Sequence, residues 1–284
     1  MLAPDATSHT LRFDAIGTSW QIDRAVLLTP HQRVAVHERV EDFDRAYSRF
    51  RPDSLVTALA EAGGAVRFPD DVVEMLEVYA ALHAATAGVM TPLVGASIEQ
   101  LGYGRDYLLA PQGPAIPSAG WDVLTVDGAV VSARVPALLD FGAAGKGYLV
   151  DLVGAVLTEV GVEEFTIDAG GDLLHRASTT LRVALEHPYD PSRAIGVAEI
   201  DGGALCGSAT NRRAWGQGLH HVVNGLTGEP VHEIAATWVH APTALHADAL
   251  ATALFFTDAA PLARSTGWVF EWVRMSTDGR VESS

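Results

Sequence analysis

The sequence predicts an α+β fold with mixed or antiparallel sheets and helices packed against them. Apolar residues recur at helical spacing in several segments, and short runs rich in valine lie between those segments. Turn residues join some of these runs into hairpins, which favours antiparallel pairing over a parallel, doubly wound sheet. No low-complexity linker divides the 284 residues.

Four helices are predicted from apolar spacing and from residues that start or stop a helix. In the first, Val36, Val40, Phe43, Tyr47 and Phe50 fall on one face. A proline and acidic residues open the second helix, a glycine ends the third, and a threonine N-cap opens the fourth. The first helix is expected over residues 31–50, the third over residues 146–160 and the fourth over residues 244–256. The second is expected to begin near residue 70, with Val73, Leu76, Tyr79 and Leu82 facing inward.

Strands and hairpins are predicted between and after these helices. Residues 121–135 form a hairpin, because two valine-rich runs flank the turn Val126-Asp127-Gly128. Residues 165–172 begin as a short apolar strand and end in a glycine turn, and residues 181–186 form another strand. Residues 267–275, followed by the Asp278-Gly279 turn, indicate a final hairpin.

The composition excludes several classes of protein. With 48% apolar and 19% charged residues the chain is not of the disordered type, and a net charge of −16 argues against nucleic-acid binding. An acidic protein still binds a phosphate ester locally, through a metal or backbone N–H groups. No apolar run is long enough to span a membrane, and no signal peptide is visible, so we expect a cytoplasmic protein. The single cysteine, Cys206, is expected to be a small buried residue.

Two glycine-rich segments are candidates for ligand binding. Residues 140–148 (DFGAAGKGY) place glycines and a lysine before a predicted helix. This pattern is typical either of a phosphate site at a helix N-terminus or of a plain strand-to-helix turn. It matches neither the Walker A nor the dinucleotide-binding pattern. Residues 168–172 (DAGGD) have two possible interpretations: the glycines bring the backbone close to a ligand, or the segment is a tight turn after a strand.

Two later segments carry polar side chains suited to chemistry. Residues 211–228 contain paired arginines and paired histidines, which is unusual in an acidic chain, although a single histidine is more often a surface or capped residue. In residues 246–254, Asp248 and Thr252 share a helix face and offer the oxygen ligands that Mg²⁺ prefers. A carboxylate in so apolar a helix is costly unless it is paired or bound to a metal, and a hydrogen bond to a neighbouring backbone is the alternative.

In this order along the chain, these segments and three earlier ones resemble the ApbE family, the FAD:protein FMN transferases. The later matches are residues 139–151 to L-D-x-G-x-x-A-K-G-Y-x-x-D, 170–172 to G-G-D, 208–213 to T-S-G-x-x-R, 221–228 to H-x-[IV]-[DN]-P-x-T-G and 247–252 to A-D-A-x-[AS]-T. The earlier matches are residues 13–20 to the opening M-G-T strand, 43–54 to S-x-[YF]-x-x-x-S, and 88–95 with 101–104 to G-A-F-D-P-T-V-G and W-G-F-G.

The resemblance implies a single domain over residues 1–284 with a T-fold-related architecture, either undivided or in two subdomains with the site between them. It implies that FAD is split at its pyrophosphate, that FMN is transferred to a Thr or Ser hydroxyl of an acceptor flavoprotein, and that AMP leaves. Mg²⁺ would be held by Asp248, Thr252 and the carbonyl of Ala143, and this ion suits a reaction at phosphates. It retains waters and phosphate oxygens as ligands, so few protein ligands are needed.

The same resemblance assigns the remaining site residues. Flavin contacts fall on Ile16, Val89, Met90, Thr91, Asp140, Lys146 and Val223. His221 lies near the pyrophosphate, where His221 or Asp140 assists proton transfer from the acceptor hydroxyl. Lys146 offsets phosphate charge.

Three departures from the family pattern stand out. Ile16 replaces the usual Met, Thr91 replaces an Asp in the flavin segment, and Gly225 replaces a Pro. Loss of the carboxylate at position 91 bears on nucleotide recognition. Many members of the family are exported or lipid-anchored, whereas no signal is visible here, so the acceptor is expected in the cytoplasm.

Three other functions compete with flavin transfer. Water in place of the acceptor hydroxyl would make the chain an FAD pyrophosphatase that yields FMN and AMP. A protein that binds FAD without turnover is the second alternative. A zinc hydrolase is the third and weakest, because the eleven histidines include no H-E-x-x-H pattern.

Overall fold

The computed structural model describes residues 9–284 and shows the expected α+β class. Its strands are β1 (His9–Ala15), β2 (Thr18–Arg24), β3 (Gly64–Arg67), β4 (Leu124–Asp127), β5 (Val130–Ala133), β6 (Phe165–Asp168), β7 (Asp172–Arg176), β8 (Leu181–His187), β9 (Asp190–Ile200), β10 (Gly203–Ala209), β11 (Ala214–Trp215), β12 (Leu219–His220), β13 (Ile234–Ala241), β14 (Glu271–Ser276) and β15 (Val281–Ser283). Its helices are α1 (Pro30–Tyr47), α2 (Leu55–Ala62), α3 (Val72–Ala85), α4 (Gly95–Gln100), α5 (Gly145–Glu159), α6 (Ala244–Ala253) and α7 (Ala259–Thr266).

An eight-stranded sheet in the order β1-β2-β6-β7-β10-β13-β14-β15 organises the molecule. All of its neighbouring strands are antiparallel, as the hairpin pattern of the sequence predicts. Three smaller antiparallel sheets accompany it, in the orders β3-β5-β4, β8-β9 and β11-β12.

The two faces of the large sheet are buried against different elements. Successive strand residues point to opposite faces, and β10 shows this clearly. Ala204 and Cys206 belong to the main core beneath α5 and α6, whereas Leu205 belongs to a second cluster with Leu185 and Ile200 of the β8-β9 hairpin. The helices therefore cover one face of the sheet, and the hairpin covers part of the other.

The predicted helices are present, with ends that differ by a few residues. The N-cap of α1 is Thr29, which forms a capping box with Gln32. This helix ends at Tyr47 rather than Phe50, because Ser48 is extended and Phe50 turns away to stack on Tyr107. The second predicted helix begins at Val72, and the last ends at Ala253.

Short elements are absent from the sequence prediction. The helices α2, α4 and α7 contain six to eight residues each, too few turns for apolar periodicity to stand out. The hairpin at residues 121–135 is confirmed as β4 and β5, in which Asp127 pairs with Val130. Among the described residues, no helix has the length and apolar character that crossing a bilayer requires.

The first turns of α5 and α6 bond to each other. Asp248 of α6 accepts a hydrogen bond from the backbone N–H of Gly147, at 2.9 Å. In the opposite direction, Asp151 of α5 accepts hydrogen bonds from the N–H groups of Ala244 and Leu245, at 2.9 and 2.8 Å. The helices approach so closely here that a Cβ on Gly147 would overlap the carbonyl oxygen of Ala244.

Gly147→Ala tests this close approach. The added methyl group must push α5 and α6 apart, so we expect a loss of roughly 1–3 kcal/mol in the free energy of unfolding, measured by urea denaturation. Gly196→Ala is the matched control, because Gly196 is exposed on β9 and a Cβ there meets no atom closer than 4.0 Å. Equal stability of the two variants would show that the helices have room to separate.

Candidate active site

A cavity of about 800 Å³ opens beside the first turn of α5 and is bordered by the end of α1, by β8 and by residues 221–223. Its volume lies within the range of small-molecule sites. The predicted site residues that line it are Ile16, Met90, Thr91, Asp140, Ala143, Lys146, His221, Val223, Asp248 and Thr252. Val89 is not part of the lining, and its carbonyl accepts a hydrogen bond from the N–H of Gly225 at 2.9 Å.

Two buried carboxylates and one ammonium group lie together at one place beside the cavity, here called its acidic end; Lys146 and Asp248 line the cavity, and Asp172 does not. The ammonium of Lys146 pairs with the carboxylate of Asp172, whose side chain is completely buried. Apart from this ion pair, the Asp172 oxygens have no hydrogen-bond partner among residues 9–284. Asp248 is nearly as buried, so this end keeps one uncompensated negative charge when all three groups are ionised.

The pKa values of these groups reflect that charge balance. Burial and the negative charge of Asp172 raise the pKa of Asp248 well above its usual value, while Lys146 opposes the shift. Burial lowers the pKa of Lys146, but the attraction of Asp172 and Asp248 outweighs burial and raises it. Lys146, the only lysine in the sequence, is therefore a cation at neutral pH.

This end of the cavity fits a hard divalent cation. Asp248, Thr252 and Ala143 line the cavity together, and the Thr252 hydroxyl lies 3.5 Å from that of Ser208. Carboxylate, hydroxyl and carbonyl oxygens are the ligands that Mg²⁺ binds. Over residues 9–284, no group of three or more His, Cys, Asp or Glu side chains is arranged to hold a metal, which does not favour the zinc alternative.

Asp140 is held rigidly at the centre of the cavity. Its carboxylate accepts hydrogen bonds from Nε of Arg49 at 2.5 Å and from the N–H of Gly142 at 2.7 Å. Burial raises the pKa of Asp140, but the charge of Arg49 and these hydrogen bonds outweigh burial and lower it. Tyr79 also ties the loop, donating to the Asp140 carbonyl at 3.4 Å and accepting from the N–H of Ala143 at 3.3 Å. Asp140 therefore remains a carboxylate and shapes the loop that carries Ala143.

Arg49 is a site residue that the sequence does not indicate. Its side chain is only 3% exposed, and its two Nη atoms have no hydrogen-bond partner within the described part of the chain. The guanidinium lies over the rings of Phe50 and Tyr103, at 4.2 and 5.3 Å from their centroids. No motif links Arg49 to Asp140, which lies 91 positions later, so only the fold reveals the pair.

His221 is a neutral imidazole in the cavity wall. Burial, followed by the positive charge of Arg213, lowers the pKa of His221 to about 3. Its Nδ1 atom is buried without a hydrogen-bond partner in residues 9–284. A neutral ring has a nitrogen that accepts a hydrogen bond from a hydroxyl group.

Two departures from the family pattern face each other. Thr91 caps the short turn Pro92–Val94 by accepting a hydrogen bond from the N–H of Leu93 at 3.2 Å. A Cβ on Gly225 would come within 2.6 Å of the Thr91 methyl group. The N–H of Gly225 also donates to Val89, a bond that the usual proline lacks the hydrogen to form. Position 225 thus has no room for a larger side chain next to Thr91.

Lys146→Met tests the charge balance at the acidic end. Without the ammonium, Asp172 and Asp248 lie buried and uncompensated, so we expect a loss of about 3 kcal/mol in the free energy of unfolding at pH 7. The loss shrinks in acid, because a proton on either carboxyl relieves the repulsion. Urea denaturation at pH 7 and at an acidic pH measures this loss of stability. The double variant Lys146→Met/Asp172→Asn is expected to regain stability. A single variant as stable as the parent chain at pH 7 would contradict the ion pair.

Comparison with known proteins places this geometry in context. The FAD:protein FMN transferase of Klebsiella pneumoniae strain 342 is 26% identical over 281 residues, covering 89% of this chain and 79% of that protein. The structure of the flavin transferase ApbE from Vibrio cholerae has 18% identity and a TM-score of 0.79, covering 98% of this chain and 97% of the other. The ApbE protein of Thermotoga maritima has 21% identity and a TM-score of 0.83, again over 98% and 97% of the two chains.

These structural matches confirm the fold and the predicted fold class. The family model for ApbE matches residues 16–266. The chain therefore belongs to the ApbE family.

Proposed function

We propose that this transferase moves FMN from FAD to a Thr or Ser hydroxyl of an acceptor flavoprotein, with Mg²⁺, and releases AMP. The names of the curated relatives support flavin transfer with FAD as substrate. The observation that carries the finer proposal is the acidic end of the cavity, where Lys146 pairs with Asp172 and the buried Asp248 lies beside them.

The reaction exchanges one phosphate ester bond for another. The acceptor oxygen bonds to the phosphorus of the FMN half, the bond from that phosphorus to the AMP half breaks with its electron pair on the AMP oxygen, and the hydroxyl proton leaves. Such a transfer requires that the reacting oxygens be positioned and the phosphate charge be offset. Mg²⁺ bound by Asp248, Thr252 and the carbonyl of Ala143 would supply charge neutralisation at the phosphates.

The chain's own groups have distinct roles in this proposal. Lys146 holds Asp172 and keeps a positive charge next to the phosphates. His221, which is neutral, accepts the hydrogen bond of the acceptor hydroxyl and orients it. With a pKa of about 3 the ring is too weak a base to hold the proton at neutral pH, so the proton passes on to water. Asp140 is fully engaged with Arg49 and Gly142, so of the two residues predicted to assist proton transfer we favour His221.

The flavin half of the substrate lies against the apolar wall. Ile16, Met90, Thr91 and Val223 all line the cavity, which supports their predicted contacts with the flavin. Ile16 has a positive φ of 44°, a conformation that a β-branched residue rarely adopts, and this turns the chain at the cavity edge. Val89 contributes through its backbone bond to Gly225.

Asp248→Asn tests the metal-dependent reaction. The purified chain is incubated with FAD, with and without Mg²⁺, together with a Thr-containing acceptor peptide, and AMP and peptide mass are followed. We expect Mg²⁺-dependent AMP release with an FMN mass on the peptide, reduced about 100-fold or more in the variant because several kcal/mol of charge stabilisation is lost. Asp127→Asn, on the exposed β4-β5 turn, is the control and should keep full activity.

The products separate the competing functions. AMP with free FMN and no labelled peptide identifies an FAD pyrophosphatase. Tight FAD binding without AMP identifies a binding protein. Full activity of Asp248→Asn would show that the metal is not held where we place it.

The protonation state of His221 gives an independent test. Because burial lowers the pKa of His221 to about 3, the imidazole should remain neutral from pH 8 down to about pH 5. An ordinary histidine has a pKa of about 6.5. NMR of ¹³C-labelled histidine, with the signal assigned from His221→Gln, measures this. A midpoint near the ordinary value would mean that the ring is exposed to water and is a cation below neutral pH.

A further inference from the structure

Arg213 differs from every other arginine in the cavity wall. The other four are paired with carboxylates: Arg49 with Asp140, Arg51 with Asp44 and Asp53, Arg182 with Glu199, and Arg212 with Glu186. Arg213 lines the same cavity. Within residues 9–284 its guanidinium has neither an ion-pair partner nor a hydrogen-bond partner, although it is half-buried. Its five N–H donors are therefore available to a ligand.

The backbone that carries Arg213 is anchored. It ends the short turn Thr210–Arg213, which links β10 to β11. The Thr210 hydroxyl donates to the carbonyl of Ala235 at 3.3 Å, and the Asn211 amide donates to the carbonyl of Pro188 at 2.5 Å. These bonds fix the turn between β13 and the β8-β9 hairpin, so the backbone of Arg213 is held at the cavity wall.

The charge of Arg213 acts at the centre of the site. After burial, it is the main influence that lowers the pKa of His221, and it also contributes to the lowered pKa of Asp140. Arg49 is already paired with Asp140, whereas the charge of Arg213 has no carboxylate partner in residues 9–284.

A cavity that contains the oxygen groups of Asp248 and Thr252 and the available donors of Arg213 suits a ligand with phosphate groups. Arginine binds phosphate through two parallel hydrogen bonds, and it does so most strongly where water is partly excluded. We propose that Arg213 is a phosphate-binding residue, which receives one of the two phosphate groups of the dinucleotide substrate. This inference rests on the proposed function for the identity of the nucleotide.

Binding of products without turnover tests the proposal. AMP, adenosine, FMN and riboflavin are titrated separately into the whole chain by calorimetry. For Arg213→Met we expect the affinity for AMP, FMN or both to fall about 10- to 100-fold, as for loss of a charged hydrogen bond, with adenosine and riboflavin unchanged within about threefold. A loss for AMP assigns Arg213 to the departing half, and a loss for FMN assigns it to the transferred half.

Two further variants complete the design. Arg193→Met removes the same charge from an exposed arginine of the β9 strand, which lies outside the cavity and has no ion-pair partner in residues 9–284, and should leave all four affinities unchanged. Arg213→Lys should keep part of the phosphate affinity, since it retains the charge and loses the paired donors. Thermal unfolding of each variant confirms that it is folded.

Three results would overturn the proposal. These are unchanged nucleotide binding in Arg213→Met, an equal loss for adenosine or riboflavin, and a parent chain that binds the nucleotides no better than the nucleosides. Because these measurements need no reaction, Arg213-dependent phosphate binding in a chain that releases no AMP from FAD would count against the proposed function alone.

Discussion

The reciprocal hydrogen bonding between the first turns of α5 and α6 is the constraint on which the site depends. Each helix starts with backbone N–H groups that have no partner within the helix, and each receives a carboxylate from the other, Asp248 for α5 and Asp151 for α6. The absence of a side chain on Gly147 permits the contact. Two positive helix ends thus meet beside the cavity with their charge compensated, and Lys146 projects from the same turn.

Local charge, rather than total charge, decides what this acidic protein binds. A net charge of −16 repels an anionic dinucleotide at a distance, but salt screens exposed charges over about 8 Å at physiological ionic strength. Inside the cavity, buried groups act at short range with little screening. There the carboxylates of Asp172 and Asp248 attract a cation, and the guanidinium of Arg213 attracts a phosphate.

Local patterns in the sequence predicted the fold class and the four longest helices, and the ordered motifs predicted the family, all of which are confirmed. The long strands β9 and β13 were not predicted. Motifs also named ten residues that meet in one cavity, although their contacts with flavin and metal stay predictions. Pairs formed across the fold could not be predicted. Arg49 with Asp140, and Thr91 against Gly225, join positions far apart in the chain, and nothing in either segment specifies the partner. Short helices such as α2 were missed because eight residues show too little periodicity.

Lysine is rare in this protein: its 19 Lys and Arg residues are 18 arginines and one lysine. The single lysine is Lys146, in the cavity wall and paired with Asp172. Apart from the α-amino group, every aliphatic primary amine of the chain is therefore in its candidate active site. An amine-directed reagent can therefore react with only one side chain of the chain, that of Lys146. The raised pKa of Lys146 leaves little of this amine in the unprotonated, reactive form. The surface can be coupled to supports or dyes only through other chemistries, and any lysine-specific label on the folded chain reports on the site itself.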